Sequence, residues 1–87
     1  MEDEWRLVEQ ASFRHWERFV GLVHVKVVET KLMPFEGGGV VYNLWGYSAR
    51  GPNDLGQSKT LRIGKRRAVK RSIELMRKEY EECCLLG

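Results

Sequence analysis

Eighty-seven residues, of which 43% are hydrophobic and 31% charged, are enough for one small folded domain and are unlike the composition of a disordered chain. The formal net charge of +3 permits nucleic acid, an anionic membrane or an acidic protein as partner and selects none of them. No apolar run is long enough to span a membrane, and the acidic residues Glu2, Asp3 and Glu4 stand where a signal peptide would be basic, so the sequence predicts an intracellular protein, cytoplasmic or nuclear.

The first element is predicted to be a helix over residues 2–19. Its apolar residues Trp5, Val8, Trp16 and Phe19 recur at helical spacing. The acidic residues at its start suit the positive end of a helix dipole. We therefore expect an amphipathic helix with one face against the core.

Two strands are predicted next, joined by a hairpin loop. Residues 22–33 alternate and are rich in Val and Thr, and residues 40–50 alternate as well. Between them Pro34 cannot donate to a strand ladder, and three consecutive glycines, residues 37–39, give a flexible backbone.

The rest of the chain is predicted to form a turn, a third strand and a second helix. Residues 51–56, GPNDLG, have the composition of a turn, and residues 57–63 alternate as a short strand. Gly64 is expected to open the helix. The core-facing stripe of this helix is predicted at Val69, Ile73, Met76, Tyr80 and Cys83 or Cys84.

These elements predict an α+β fold class with one domain over residues 1–87. The expected architecture is a two-layer α-β-β-β-α arrangement, with an antiparallel three-stranded sheet and both helices packed on one face of it. The other side of the sheet is left uncovered. Its expected side chains are His24, Lys26, Asn43, Trp45, Tyr47, Thr60 and Arg62.

Positive charge is concentrated near the start of the second helix. Residues 50–71 contain eight basic side chains and a single acidic one, Asp54, and five of the cations fall where the helix dipole favours Asp or Glu. A polyanion would account for this placement. A solvated helix face or a nuclear localisation signal, which KRRAVKR would suit, are the alternatives. The predicted phosphate contacts are Lys59, Arg62, Lys65, Arg66, Arg67, Lys70 and Arg71. The predicted base-stacking residues are Trp5 and Trp45, and for each of them a core or dimer contact is the alternative.

Neither an enzyme nor a metal or cofactor site is expected. His15 and His24 are not accompanied by a nucleophile motif or by paired carboxylates. Cys83 and Cys84 lack the further cysteines or histidines that zinc requires, and adjacent cysteines do not readily form a disulfide, so reduced thiols are expected. The triple glycine precedes a strand and not a helix, which argues against a P-loop.

Two resemblances to known families point to RNA. The order helix, three strands, helix, with GKRRAVKR opening the last helix, resembles the double-stranded RNA-binding domain. That resemblance implies Lys65, Arg66 and Lys70 on phosphates and recognition of the duplex by its shape. Bulky Val69 and Ile73 stand where that family has a repeat of small residues.

The second resemblance is carried by EWRL, residues 4–7, and by GQSKTL, residues 56–61, which precedes the basic helix. These segments are similar to stretches of the tombusvirus RNA-silencing suppressors, small viral proteins that dimerise through a sheet and hold short RNA duplexes. Because N-terminal tryptophans of that family stack on the ends of the duplex, the resemblance implies that Trp5 caps one end.

The sequence thus predicts a non-catalytic protein that binds double-stranded RNA by its shape and its phosphates, with a viral suppressor of RNA silencing as the specific form that the second resemblance implies. The alternative is a small viral or phage accessory protein that docks an acidic protein, and DNA binding is a third hypothesis. A homodimer is expected because Trp45, Tyr47 and Val41 would be exposed on the sheet.

Overall fold

The chain folds as an antiparallel meander of five strands followed by one long helix. This computed structural model describes residues 4–86, with side chains described from residue 4 to residue 82. Each strand pairs with the next one along the chain, and the helix packs across β3, β4 and β5. The elements are β1 (Arg6–Gln10), β2 (Phe13–Val20), β3 (Val23–Lys31), β4 (Val40–Ser48), β5 (Gly51–Ser58) and α1 (Leu61–Leu86).

The fold class is α+β, but the predicted arrangement of three strands between two helices is wrong at both ends. The predicted N-terminal helix is the hairpin of β1 and β2, which are joined by the two-residue turn at Ala11 and Ser12. Neither turn residue is one that a tight hairpin prefers. In β2, Arg14 and Arg18 lie on the same side as buried Trp16. The sequence therefore lacks the regular alternation of apolar and polar residues that indicates a strand. Residues 1–3, with part of the acidic start, lie outside the described part of the chain.

The central hairpin agrees with the sequence pattern. β3 and β4 lie within the two predicted strands and are joined through a short 3-10 turn at Pro34–Glu36. Gly37 follows this turn with a φ of 103°, a conformation that favours glycine. Across β3, Val23, Val25 and Val27 point toward α1 and are at most 1% exposed.

The segment predicted as a turn is the edge strand β5, so the prediction of a third strand at residues 57–63 is wrong. Pro52 is tolerated in β5 because an edge strand has one side without a partner strand. The register skips Leu55: Leu44 pairs with Gly56, and Trp45 pairs with Asp54. This bulge directs Leu55 into the core, where it is 6% exposed.

A ridge of small residues on α1 lies against the sheet. Gly64, Ala68 and Ser72 repeat every four residues and are buried. The buried Ser72 hydroxyl donates a 2.7 Å hydrogen bond to the carbonyl of Ala68. An added Cβ on Gly64 would stand 3.4 Å from Leu44 Cδ2, so the helix axis runs close to β4. The buried apolar residues are Trp16, Val20, Val23, Val25, Val27, Leu44, Leu55 and Ala68.

The predicted core-facing stripe of the second helix is therefore partly wrong. Val69 and Met76 do pack against the core. Ile73 is 37% exposed and Tyr80 is 72% exposed, because the side of α1 centred on the small-residue ridge faces the sheet and these two residues lie away from it. The side chains of the two adjacent cysteines, also assigned to that stripe, lie outside the described residues.

The side of the sheet that faces away from α1 is called here the open face. No described residue packs over it, and it carries alternate residues of every strand, among them Lys26 and Trp45. The prediction that His24, Lys26, Asn43, Trp45 and Tyr47 lie on an uncovered side is confirmed by the register of β3 and β4. Thr60 and Arg62, assigned to the same side, lie instead at the start of α1.

Candidate nucleic-acid interface

The start of α1 is fixed by hydrogen bonds of Ser58 and Thr60. The backbone N–H of Ile63 donates to Thr60 Oγ1 at 3.3 Å, which caps the first turn. The Ser58 hydroxyl donates to the carbonyl of Thr60 at 2.9 Å and accepts from its N–H at 3.3 Å. These bonds determine where the helix begins, and the helical period then sets the direction of each basic side chain.

Four of the predicted phosphate contacts are exposed, and we call them the cationic row: Lys59, Arg62, Arg66 and Lys70. Arg62, Arg66 and Lys70 follow each other every four residues along the outer surface of α1 and span about 12 Å at 1.5 Å per residue. Among the described residues, the side chains of the row make no hydrogen bond or ion pair. A groove of ≈ 410 Å³ runs beside Arg66 and Lys70, with Glu74 as its acidic side chain.

Two other predicted phosphate contacts are engaged by the fold. Arg67 donates from Nη1 to the carbonyl of Gln57 at 2.6 Å, and Arg71 donates from Nη1 to the carbonyl of Leu55. These carbonyls belong to the edge strand β5, which would otherwise present unpaired acceptors. The two arginines therefore attach the helix to the edge of the sheet.

Lys65 and Trp5 lie together on the side of the sheet that faces the helix. Lys65 Nζ is 5.8 Å from the ring centroid of Trp5 and also 5.8 Å from that of Trp16. Arg18 stands 5.8 Å from the Trp5 ring centroid. Trp5 is half-buried, and Trp16 is 7% exposed and belongs to the core. Lys65 thus serves as a cation–π partner of two tryptophans.

Trp45, the second predicted stacking residue, lies on the open face and is separated from the cationic row by the sheet itself. It stands opposite Lys26 in the β3–β4 register. The nine predicted site residues are therefore found in four places. Four form the row, Arg67 and Arg71 bind the β5 edge, Lys65 and Trp5 lie together on the helix side of the sheet, and Trp45 lies on the open face. They do not form one continuous surface.

Arg77 is a cation that the sequence interpretation missed. It is exposed and follows Lys70 by seven residues, two helical turns, so it extends the outer surface of α1 beyond the row. The helical spacing could have identified it, but Arg77 and the adjacent Lys78 lie outside the dense basic run at residues 59–71 and have acidic residues on both sides.

Outside the row, nearby side chains shift the pKa values of two glutamates, Glu29 and Glu17. Arg14 donates two hydrogen bonds to Glu29, at 2.5 and 3.3 Å, and this contact lowers the pKa of Glu29 and raises that of Arg14. Burial acts to raise the pKa of Glu17, but nearby His24 and His15 outweigh it and the pKa of Glu17 is lowered. In the described part of the chain, no cluster of His, Cys, Asp and Glu is arranged to hold a metal ion.

Comparison with protein-family models, with curated proteins and with solved structures finds no match to this chain. Within the described residues, no helix combines the length and the apolar character that crossing a bilayer demands.

Proposed function

We propose that this protein binds nucleic acid, with duplex RNA as the favoured ligand, through the cationic row. The observation that carries the proposal is the exposed repeat of Arg62, Arg66 and Lys70, which have no hydrogen-bond or ion-pair partner among the described residues. Arg62 stands in the first turn of α1, where the helix dipole disfavours positive charge. A polyanion on the outer surface of the helix would offset that repulsion.

The row suits contact with a sugar–phosphate backbone, because its cations repeat along the outer surface of α1. Each cation that neutralises a phosphate releases condensed counterions, which favours binding and makes it sensitive to salt. Such contacts position the ligand without reading its sequence. The proposed role is therefore binding without catalysis, in a compartment that holds RNA, the cytoplasm or the nucleus.

The preference for RNA over DNA rests on the similarity of residues 4–7 and 56–61 to the tombusvirus RNA-silencing suppressors, because the order helix, three strands, helix that carried the other resemblance is not the order of this fold. The A-form duplex presents 2′-hydroxyl groups and a wide, shallow minor groove that a DNA duplex lacks. Competition between RNA and DNA duplexes of one sequence tests this part of the proposal. A suppressor of RNA silencing would in addition discriminate among duplexes by length.

The decisive experiment measures affinity for a labelled RNA duplex of about 16 base pairs or more at salt concentrations from about 50 to about 200 mM. The variant Arg66→Gln/Lys70→Gln removes two adjacent cations of the row. We expect it to bind at least tenfold more weakly and to reduce the magnitude of the salt slope by about two, since each lost phosphate contact changes the slope by about one.

The matched control is Lys31→Gln/Lys78→Gln, which makes the same change in net charge at exposed positions outside the row. We expect its affinity and salt slope to stay near those of the wild type. Equal losses of duplex affinity in the two variants would show that binding depends only on net charge, and would refute the row as the binding surface. Wild-type binding to an acidic protein that survives nuclease and high salt, without affinity for duplexes, would instead favour the docking alternative.

A further inference from the structure

The open face carries a connected group of aromatic rings. Phe19 stacks on His24 with ring centroids 4.7 Å apart and planes inclined by 17°, and Tyr47 lies 6.3 Å from His24. Phe19 is 66% exposed, and Phe13, near the other end of the same strand, is 63% exposed. These two exposed rings on β2, with the rings of His24 on β3 and Tyr47 on β4, form the kind of apolar patch that marks an interaction surface.

The polar groups of the open face are already bonded to one another. Asn43 donates to Thr30 Oγ1 at 2.7 Å, and Gln57 donates to Asn43 Oδ1 at 2.8 Å. One carboxylate oxygen of Glu17 lies 3.4 Å from His15 Nε2 and 3.2 Å from His24 Nε2. Because these groups have partners within the chain, covering them with another protein surface leaves few unsatisfied donors or acceptors.

The charge of the open face argues against a polyanion as its occupant. The alternating registers place two cations, Arg6 and Lys26, and two carboxylates, Glu17 and Asp54, on this side. These four charges balance. Glu17 lies between His15 and His24 near the centre of the face, where an ionised carboxylate would repel phosphates.

A balanced face can instead meet a copy of itself. In a two-fold symmetric pair each copy presents the same cations and carboxylates to the other, so attraction needs no excess of either charge. Edge pairing through β5 is disfavoured, because Arg67 and Arg71 already occupy two carbonyls of that strand. The face is thus better suited to self-association than the β5 edge is.

The size of the face also suits a dimer. It is formed by five strands of five to nine residues. With strands about 4.8 Å apart and about 3.3 Å per residue, the face covers roughly 600 Å². Two copies would cover roughly 1,200 Å² together, which reaches the lower end of stable, specific interfaces.

We propose that two copies of this chain associate through their open faces, with Phe13, Phe19 and Tyr47 in the interface. The two sheets then stack face to face about 10 Å apart, and the α1 helices form the outer layers. The two cationic rows point away from each other on opposite sides of the dimer. This inference is independent of the proposal for nucleic acid, because it uses none of the residues of the row.

The test is sedimentation equilibrium of the full chain from low to high micromolar concentration, compared with the 10.2 kDa mass of one chain. We expect the wild type to be a reversible dimer. Phe19→Glu and, separately, Phe13→Glu place like charges in the interface and should weaken dimerisation at least about 100-fold. Both side chains are mostly exposed in one chain, so far-UV circular dichroism and urea unfolding should show folded monomers.

The matched control is Phe35→Glu, the same chemical change at a residue that is 84% exposed in the loop between β3 and β4. It should leave the dimerisation constant within a factor of about three, as expected for a site outside the interface. A wild type that stays monomeric overturns the inference, as does a dimer that all three variants weaken equally or not at all. If the wild type is monomeric and the Phe19→Glu variant loses RNA binding, RNA is the occupant of the open face, and the inference of a dimer is likewise overturned.

Discussion

The guanidinium of Arg71 donates a hydrogen bond to the main-chain carbonyl of Leu55, sixteen residues earlier in the chain. Leu55 is the residue that the β4–β5 register skips, so the arginine supports the bulge that turns this leucine into the core. The adjacent Gly56 has a φ of 101°, and a Cβ there would collide with the same guanidinium. A cation in a run that suggests ligand binding therefore has a structural role.

Removal of this donor should destabilise the fold. Arg71→Met keeps the aliphatic stem and a similar helix propensity but leaves the Leu55 carbonyl without its charged donor, so we expect the free energy of unfolding to fall by about 1–2 kcal/mol. Urea denaturation measures the change. Arg66→Met, at an exposed position of the same helix, should change stability by less than about 0.5 kcal/mol. Equal effects of the two substitutions would show that the hydrogen bond contributes nothing to stability.

Lys65 is expected to matter more for stability than for duplex binding. Lys65→Met removes the cation from the rings of Trp5 and Trp16 and should cost about 0.5–1 kcal/mol of unfolding free energy, with a change in tryptophan fluorescence. Its duplex affinity should stay close to that of the wild type. Lys70→Met should show the opposite pattern, weaker binding with unchanged stability. A loss of affinity in Lys65→Met as large as that in Lys70→Met would place Lys65 on the ligand.

Gly64 should respond in opposite directions to a small and a large side chain. The position where Cβ of Gly64→Ala would lie is 3.4 Å from Leu44 Cδ2 and Ser58 Cβ, an ordinary contact, so the gain in helix propensity should raise stability by about 0.5–1 kcal/mol. Gly64→Leu has no room against β4 and should cost about 1–3 kcal/mol. Thermal or urea unfolding of both variants checks the pair. A stable Gly64→Leu variant would mean that α1 does not pack closely on the sheet.

The pair of Arg14 and Glu29 predicts a dependence of stability on pH. Because the hydrogen bonds from Arg14 lower the pKa of Glu29 in the folded state, its stabilisation is complete above the ordinary glutamate pKa of about 4.3 and is lost as pH falls through the lowered value. Arg14 is about half exposed, so Glu29→Gln should cost only about 0.5–1 kcal/mol at neutral pH.

Urea unfolding of Glu29→Gln and the wild type from neutral pH to below about pH 3 measures this difference. The two proteins should converge in stability at the acid end. Glu81→Gln, at an exposed position of α1, is the control and should track the wild type throughout. A Glu29→Gln deficit that persists at the lowest pH would assign the loss to packing instead of charge.

The hairpin of β3 and β4 could be predicted because Val23, Val25 and Val27 alternate with polar residues and glycines follow the turn. The β1–β2 hairpin could not, since Arg14 and Arg18 share a side with Trp16 and use their charges beside its ring and near Trp5. The core side of α1 was hidden for another reason. Gly64 and Ser72 contact the sheet because they are small, and a pattern of hydrophobic residues gives no information on the size of a side chain.

The candidate site could likewise be predicted from the sequence only in part. The sequence located the cationic segment. Whether a given cation is exposed or is hydrogen-bonded within the fold depends on which carbonyls of β5 lie within reach of α1. Arg66 and Arg67 are adjacent in the chain, yet one is exposed and the other donates to Gln57. That distinction follows from the register and bulge of β5, whose sequence has the composition of a turn.

The simple order of the sheet has a consequence for how the protein folds. Every strand pairs with its neighbour in sequence, so each hairpin requires the closure of only a short loop. Short-range pairing lowers the entropic barrier and favours rapid formation of the sheet. α1 follows all five strands, and its Arg67 and Arg71 complete the β5 edge only when the helix docks. We therefore expect docking of the helix to be the late step, with the β5 edge exposed to misassembly until it is complete.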